Sequence, residues 1–149
     1  MKIWVDADAC PKVIKEIIFR VAERTGIQIV LVANQLFRFP QSPVITFIQV
    51  EQGPDVADDM IANSCSKGDI VITADIPLAA RVVEKSAHAI DPRGRLHTAE
   101  NIRQTLGMRD FMDSLRGSGI PTGGPPAISQ RERTDFANCL DQIVAKAKR

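Results

Sequence analysis

Cysteine and histidine are scarce in this chain, and their scarcity narrows its chemistry. Three cysteines, Cys10, Cys65 and Cys139, stand far apart and are odd in number, so they fit neither a zinc spacing nor a disulfide framework. A reducing, cytoplasmic environment is the simplest reading. With only His88 and His97, a histidine-rich metal site is not expected. No apolar run approaches the length of a membrane span, so no membrane partner is expected. At the N-terminus, Asp6 arrives too early for a signal-peptide hydrophobic region. The net charge is only +1, so no global field gathers nucleic acid, and any such contact must come from a local basic cluster. What remains is ordinary globular composition, 44% hydrophobic and 25% charged, in 149 residues, a length that suits one domain with a buried core.

The pattern along the chain alternates between strands and helices. Ile3-Trp4-Val5 is an apolar run that stops at Asp6, and Pro11 suits the first turn of a helix. Val13, Ile14, Ile17, Ile18 and Val21 then recur at helical spacing up to Thr25-Gly26. Strands are expected at 27–32, 44–50, 69–73 and, shorter, 87–90. Asp69-Ile70-Val71-Ile72-Thr73 has the continuous β-branched character of a buried parallel strand. Helices are expected from Gly53-Pro54-Asp55 to about Ser64, over 77–85, and from Thr98 to about Leu115. Asp91 to Arg95 is a turn, and Gly117 to Pro126 is a Gly/Pro-rich loop. Ser129 and Glu132 form a capping-box pattern before a last amphipathic helix with Phe136, Leu140, Ile143 and Val144. The fold class expected is three-layer α/β, with a mostly parallel sheet of four or five strands flanked by helices. Residues 1–149 are read as a single domain, with 117–149 a loop and helix packed back on it.

Ligands of such sheets bind beyond the carboxyl ends of the strands. The acids gather there. Asp6 and Asp8 follow the first strand, Asp75 follows the fourth, and Asp55, Asp58 and Asp59 open the helix after the third. Crowded carboxylates repel unless protons or cations intervene. All-oxygen sites suit Mg²⁺ or Mn²⁺, whose retained waters can become the nucleophile for phosphodiester cleavage. A plainer reading stands beside this one. Acids favour helix starts, Asp55 could be an N-cap, and the helix acids lie opposite Val56, Ala57, Met60 and Ile61, as on a solvated face.

Other residues carry weaker signals. A thiolate at Cys10 would be stabilised at a helix start, but no His or second Cys stands near it in sequence, and a small packed cysteine is the commoner case. His88 is read as a strand residue and His97 as a loop residue rather than as ligands. Phe37 and Phe39 around Arg38 could stack on a base or anchor a loop on the core. Arg93 and Arg95 follow the possible fifth strand, and Arg131 and Arg133 open the last helix. Guanidinium forks match phosphate geometry, and lone surface arginines need only solvation to explain them.

The stretches Asp6-Ala7-Asp8-Ala9-Cys10-Pro11, Gly53-Pro54-Asp55 with Ala57-Asp58-Asp59, Thr73-Ala74-Asp75-Ile76-Pro77-Leu78-Ala79, Asp91-Pro92-Arg93-Gly94 and Gly123-Gly124-Pro125-Pro126 together resemble the YaiI/YqxD family of bacterial proteins. That family resembles the PIN-like nuclease superfamily in its expected, Rossmann-like fold. The resemblance implies acids after the first strand, in a mid-chain helix and after the fourth strand, and Asp6, Asp58 or Asp59, and Asp75 match those places. The leading expectation is a divalent-metal-dependent nuclease acting on RNA through a metal-activated water. Asp6, Asp8, Asp58, Asp59 and Asp75 would be its catalytic acids. Asp6, Asp75 and Asp58 or Asp59 would hold the metal, and Arg93, Arg95 and Arg131 would contact phosphates.

Two other functions compete. One is a phosphatase of the haloacid-dehalogenase type, whose nucleophile motif Asp6-Ala7-Asp8 resembles. Against it, Pro11 starts a helix at once, leaving no room for that family's flap, and Asp58-Asp59 precede Thr73 in reversed order. The other is a metal- or nucleic-acid-binding protein without turnover.

Overall fold

The computed structural model describes residues 1–53, 55–104 and 127–147. Ten elements have defined bounds within or up to the limits of these ranges: β1 (Lys2–Asp6), α1 (Lys12–Thr25), β2 (Gln28–Ala33), β3 (Ile45–Gln49), α2 (Val56–Ser64), β4 (Ile70–Ile72), α3 (Ile76–Glu84), β5 (His88–Ile90), β6 (Leu96–His97) and the last helix, Gln130–Ala147. Residues 99–104 are also helical and form the described part of α4, so the last helix is α5. The remainder of the helix expected up to Leu115, the Gly117–Pro126 loop and Pro54 lie outside the described residues. Among the described residues, no helix is long and apolar enough to cross a membrane.

One sheet runs in the order β3-β2-β1-β4-β5-β6. The first five strands are parallel, and β6 pairs antiparallel with β5 through Ala89↔His97 and Ile90↔Leu96. The expected four or five strands are therefore six. The antiparallel edge corrects the placement of His97, which is a buried strand residue rather than a loop residue.

Alternation along the strands sorts the core into two layers. Ile3, Val5, Ile29, Leu31, Ile70 and Ile72 point to one face, where Ile14, Ile18 and Val21 of α1 and Phe136, Leu140 and Val144 of α5 cover them. Trp4, Val30, Val32 and Val71 point to the other face, beneath Ile61 of α2, Leu78 and Val82 of α3 and Ile102 of α4. Period-two side chains make both faces of these strands apolar, which is why they read as near-continuous runs. Each fully buried side chain of this size contributes roughly 2 kcal/mol by leaving water.

Two local devices fix the helices that matter most. α1 ends on Gly26, whose left-handed φ of 76° lets its N–H reach the Ala22 carbonyl at 2.7 Å. α5 starts on the capping box read from the sequence: Glu132 N donates to Ser129 Oγ at 3.1 Å, and Ser129 N donates to Glu132 Oε1 at 3.0 Å. The turn after β5 then grips α5. Arg93 Nη1 donates to both oxygens of Glu132 at 2.9 Å. Gly94, with φ 96°, packs so close that a Cβ there would lie 2.6 Å from Asp135 Cβ and 2.7 Å from Phe136 N.

Candidate functional site

The chain leaves β1 toward β2 and β3 on one side, then crosses to β4 on the other. The strand order therefore reverses between β1 and β4, and at such a point the diverging loops open a crevice beyond the strand ends. Asp6 closes β1 there, and Thr73 follows β4, extending its ladder by donating its N–H to the Ile90 carbonyl at 3.0 Å.

The two strand ends are joined by a side-chain relay. Thr73 Oγ1 donates to Asp6 Oδ2 at 3.1 Å and accepts from Asp75 N at 3.0 Å. Asp75 caps α3, its Oδ1 accepting from Leu78 N at 2.8 Å, with Pro77 in the first turn. Among the described residues, neither Asp6 Oδ1 nor Asp75 Oδ2 has a hydrogen-bond donor.

Asp6 is buried, and its pKa is raised first by that burial and further by the charges of Asp75 and Asp8, against the opposing Thr73 hydroxyl. Asp58, half-buried on α2, is pushed up to about 6, first by burial and then by Asp75, Asp6, Asp55 and Asp59. Three carboxylates from three separate elements thus share one field.

The other helix acids separate from this group. Asp59 is exposed and pairs with Arg81 of α3 at 2.7 Å, an ion pair open to solvent on both sides and worth under about 1 kcal/mol. Asp55 occupies the N-cap place of α2 in a left-handed conformation, φ 64°, yet its side chain makes no capping hydrogen bond. Asp8 is exposed, and its Oδ2 accepts from Asn34 N at 2.7 Å, tying the loop after β1 to the end of β2.

The donor set of Asp6, Asp58 and Asp75 is all carboxylate oxygen, the chemistry that Mg²⁺ or Mn²⁺ takes. Among the described residues, no group of three or more His, Cys, Asp or Glu side chains is already disposed to hold a metal ion. The residues fit the cation by charge and by ligand type, not as a preformed cage.

The remaining candidates fall elsewhere. Arg93 is engaged with Glu132, as described above, while Arg95 and Arg131 are exposed on the β5–β6 turn and the first turn of α5. Phe37 and Phe39 pack with Phe47 of β3, Phe39 and Phe47 being stacked at 5.3 Å, so the loop after β2 is anchored on the core. Cys10 is buried, and burial pushes its thiol up to about 12 in spite of nearby Lys15, so the helix start does not produce a thiolate at neutral pH. His97 carries no signal in sequence. Burial lowers the pKa of its imidazole against the pull of Asp91 and the nearby Thr73 backbone. Its Nε2 is buried and has no partner among the described residues.

Residues 4–146 match the family described as "Uncharacterized BCR, YaiI/YqxD family". A "UPF0178 protein" of Syntrophotalea carbinolica is 61% identical over 146 residues, covering 98% of this chain and 99% of its own. One from Thioalkalivibrio sulfidiphilus is 61% identical with the same coverage, and one from Colwellia psychrerythraea is 58% identical over 149 residues, covering 100% of this chain and 99% of its own. No solved structure matches significantly.

Proposed function

The chain belongs to the YaiI/YqxD family, and we propose that it is a divalent-metal-dependent nuclease acting on RNA. What supports this reading is that Asp6 and Asp75, linked through Thr73, stand where strand order reverses, and that Asp58 feels both their charges, its carboxyl raised to about 6 first by burial and then by its acidic neighbours. A Rossmann-like sheet with acids after β1, on α2 and after β4 also supports the link to PIN-like nucleases.

Asp6, Asp75 and Asp58 would hold the cation, which when bound supplies charge neutralisation and Lewis acidity for phosphodiester hydrolysis. The chain's own residues prepare for this. Thr73 holds one oxygen of Asp6 and leaves the other open. Leu78 N–H does the same for Asp75. Asp58 is ionised for the most part at pH 7 and protonated for the most part below about pH 6, so near pH 6 it releases a proton as a cation arrives and takes one up as it leaves. Of the two neighbouring helix acids, the ion pair with Arg81 favours Asp58 over Asp59 as the ligand.

The test is to incubate the purified protein with labelled RNA and, separately, with p-nitrophenyl phosphate, in Mn²⁺ or in chelator. Mn²⁺-dependent RNA cleavage that is lost in Asp6→Asn is the expected result. Hydrolysis of the small ester without RNA cleavage would replace the nuclease with a phosphatase. Inactivity on both, with Mn²⁺ raising the melting temperature, would leave a binding protein without turnover.

A further inference from the structure

The acids lie at the ends of β1 and β4, and the bases have a face of their own. Between α1 and the loop after β2 lies a depression of about 410 Å³ bordered by Lys12, Lys15, Phe37 and Arg38. Between the starts of α1 and α5 lies another of about 390 Å³, bordered by Lys12, Arg93 and Arg133. Lys12 borders both, so they adjoin along one face. Their lining residues include one acid, Glu16, and five cations, of which Arg93 is paired with Glu132, in a chain whose net charge is +1. Among the described residues, no ion pair involves Lys12, Lys15, Arg38 or Arg133.

The arrangement works against the helix that carries it. α1 has no acid in its first turn and places Lys12 and Lys15 there, at the positive end of its dipole. The side-chain charges and the helix dipole therefore add, and an anion relieves both. The lip of the groove is apolar as well as basic. Lys15 Nζ stands 3.9 Å over the Phe37 ring, and the adjoining Leu36 is 72% exposed. Phosphates beside apolar or aromatic surface are what a single nucleic-acid strand offers, with its bases turned aside from its backbone. The groove also has a destination. α1 follows β1 directly, so Lys12 stands six residues after Asp6, where the chain leaves the strand end.

We infer that the face formed by Lys12, Lys15, Phe37, Arg38 and Arg133 binds the sugar-phosphate backbone of single-stranded RNA and leads it to the strand ends that carry Asp6 and Asp75. The choice of RNA rests on the proposed nuclease function. Binding itself does not require the metal, and that makes the two claims separable.

The experiment measures anisotropy of a short labelled single-stranded RNA with the full chain, in chelator, across a salt series. Wild type should bind with an affinity that falls steeply with salt. The triple variant Lys12→Gln, Lys15→Gln, Arg38→Gln should lose at least about tenfold in affinity, and its log–log salt slope should flatten by about 2, roughly 0.7 for each lost phosphate contact. Lys12→Arg with Lys15→Arg should retain binding, which controls for folding. Lys67→Gln, on the turn before β4 at the opposite ends of the strands, should change nothing. Unchanged affinity in the triple variant would overturn the groove, even if wild type cleaves RNA in Mn²⁺. So would wild type that ignores RNA but binds vesicles of phosphatidylcholine and phosphatidylglycerol. Groove-dependent binding with no cleavage in any metal would sustain the groove and sink the nuclease.

Discussion

Asp6 and Asp69 are buried to the same extent, each 7% exposed, at opposite ends of the paired strands β1 and β4. Their surroundings differ. Asp69 accepts from Lys2 N at 3.0 Å, Trp4 Nε1 at 3.1 Å and Ser66 N at 2.9 Å, so its charge is met by three N–H groups. Asp6 receives one hydroxyl and faces the charges of Asp75 and Asp8. Burial alone does not mark a working carboxylate, because a fully bonded one is a fastener. A buried carboxylate left short of donors among other acids stores electrostatic stress that a ligand can release.

The largest effect should come from the fastener. Asp69→Ala leaves the Trp4 indole N–H and two backbone N–H groups without their acceptor, at a cost of about 3 kcal/mol. For a chain of this size that lowers Tm by roughly 10 °C. Asp6→Asn should stay within about 1 kcal/mol and move upward, since it removes a charge that its neighbours repel. Denaturant titration of both variants checks the contrast, and a neutral Asp69→Ala would break it.

Metal should act on one end only. At about 100 times Kd, Mn²⁺ should stabilise wild type by about 2.7 kcal/mol, read as a rise in Tm. Asp6→Asn and Asp75→Asn should lose most of that rise, and Asp69→Asn should keep it. An equal response in all three variants would place the cation elsewhere.

Acidity offers a finer test. The folded-state pKa of Asp58 is about 6, above its ordinary value of 3.8, so the folded state binds its proton more tightly than the unfolded chain does. That contribution is fully present below about pH 4, is lost as pH rises through about 6, and is flat above. The raised pKa of Asp6 acts in the same sense. Metal-free Tm should therefore fall by a few degrees between pH 5 and 7, and Asp58→Asn should flatten that fall. A wild-type Tm that climbs over this window would reverse the sign and refute the crowding.

The smallest effect belongs to Cys10, which is buried at the same end as Asp6 but is neutral, with its thiol held up at about 12. Cys10→Ser should cost no more than about 1 kcal/mol and should preserve the Mn²⁺ response. Thiol reagents should label Cys10 slowly at pH 7 in the native protein. Rapid labelling would reinstate it as a nucleophile.

Strand ends were legible because β-branched runs such as Ile70-Val71-Ile72 stop abruptly, and Asp6 and Asp75 stand at such stops. The capping box of α5 was legible for the same local reason. β6 was not, since two residues, Leu96 and His97, carry no periodicity, and so the burial of His97 in an edge strand was hidden. Asp69 was read only as the first residue of a strand. Its three donors come from sequence positions 2, 4 and 66, and only Ser66 lies close enough to suggest a turn. Arg93 was read as a phosphate contact beside a strand end; that its Nη1 also donates to both oxygens of Glu132, 39 residues away, was not legible. Local chemistry shows in sequence, but pairings across the sheet do not.

Gly94 sets a clearance. Because it lacks a side chain, the turn after β5 can lie against Asp135 and Phe136 at less than an ordinary van der Waals separation from where a methyl group would sit. α5 carries Arg133 two residues before that contact, and Phe136 lies within it. A methyl group at Gly94 would act as a shim: it would lift the helix, draw Phe136 out of the layer it shares with Ile14 and Ile18, and widen the gap between Arg133 and Lys12. The gauge of the basic groove is thus fixed by a residue that contributes no functional group to it.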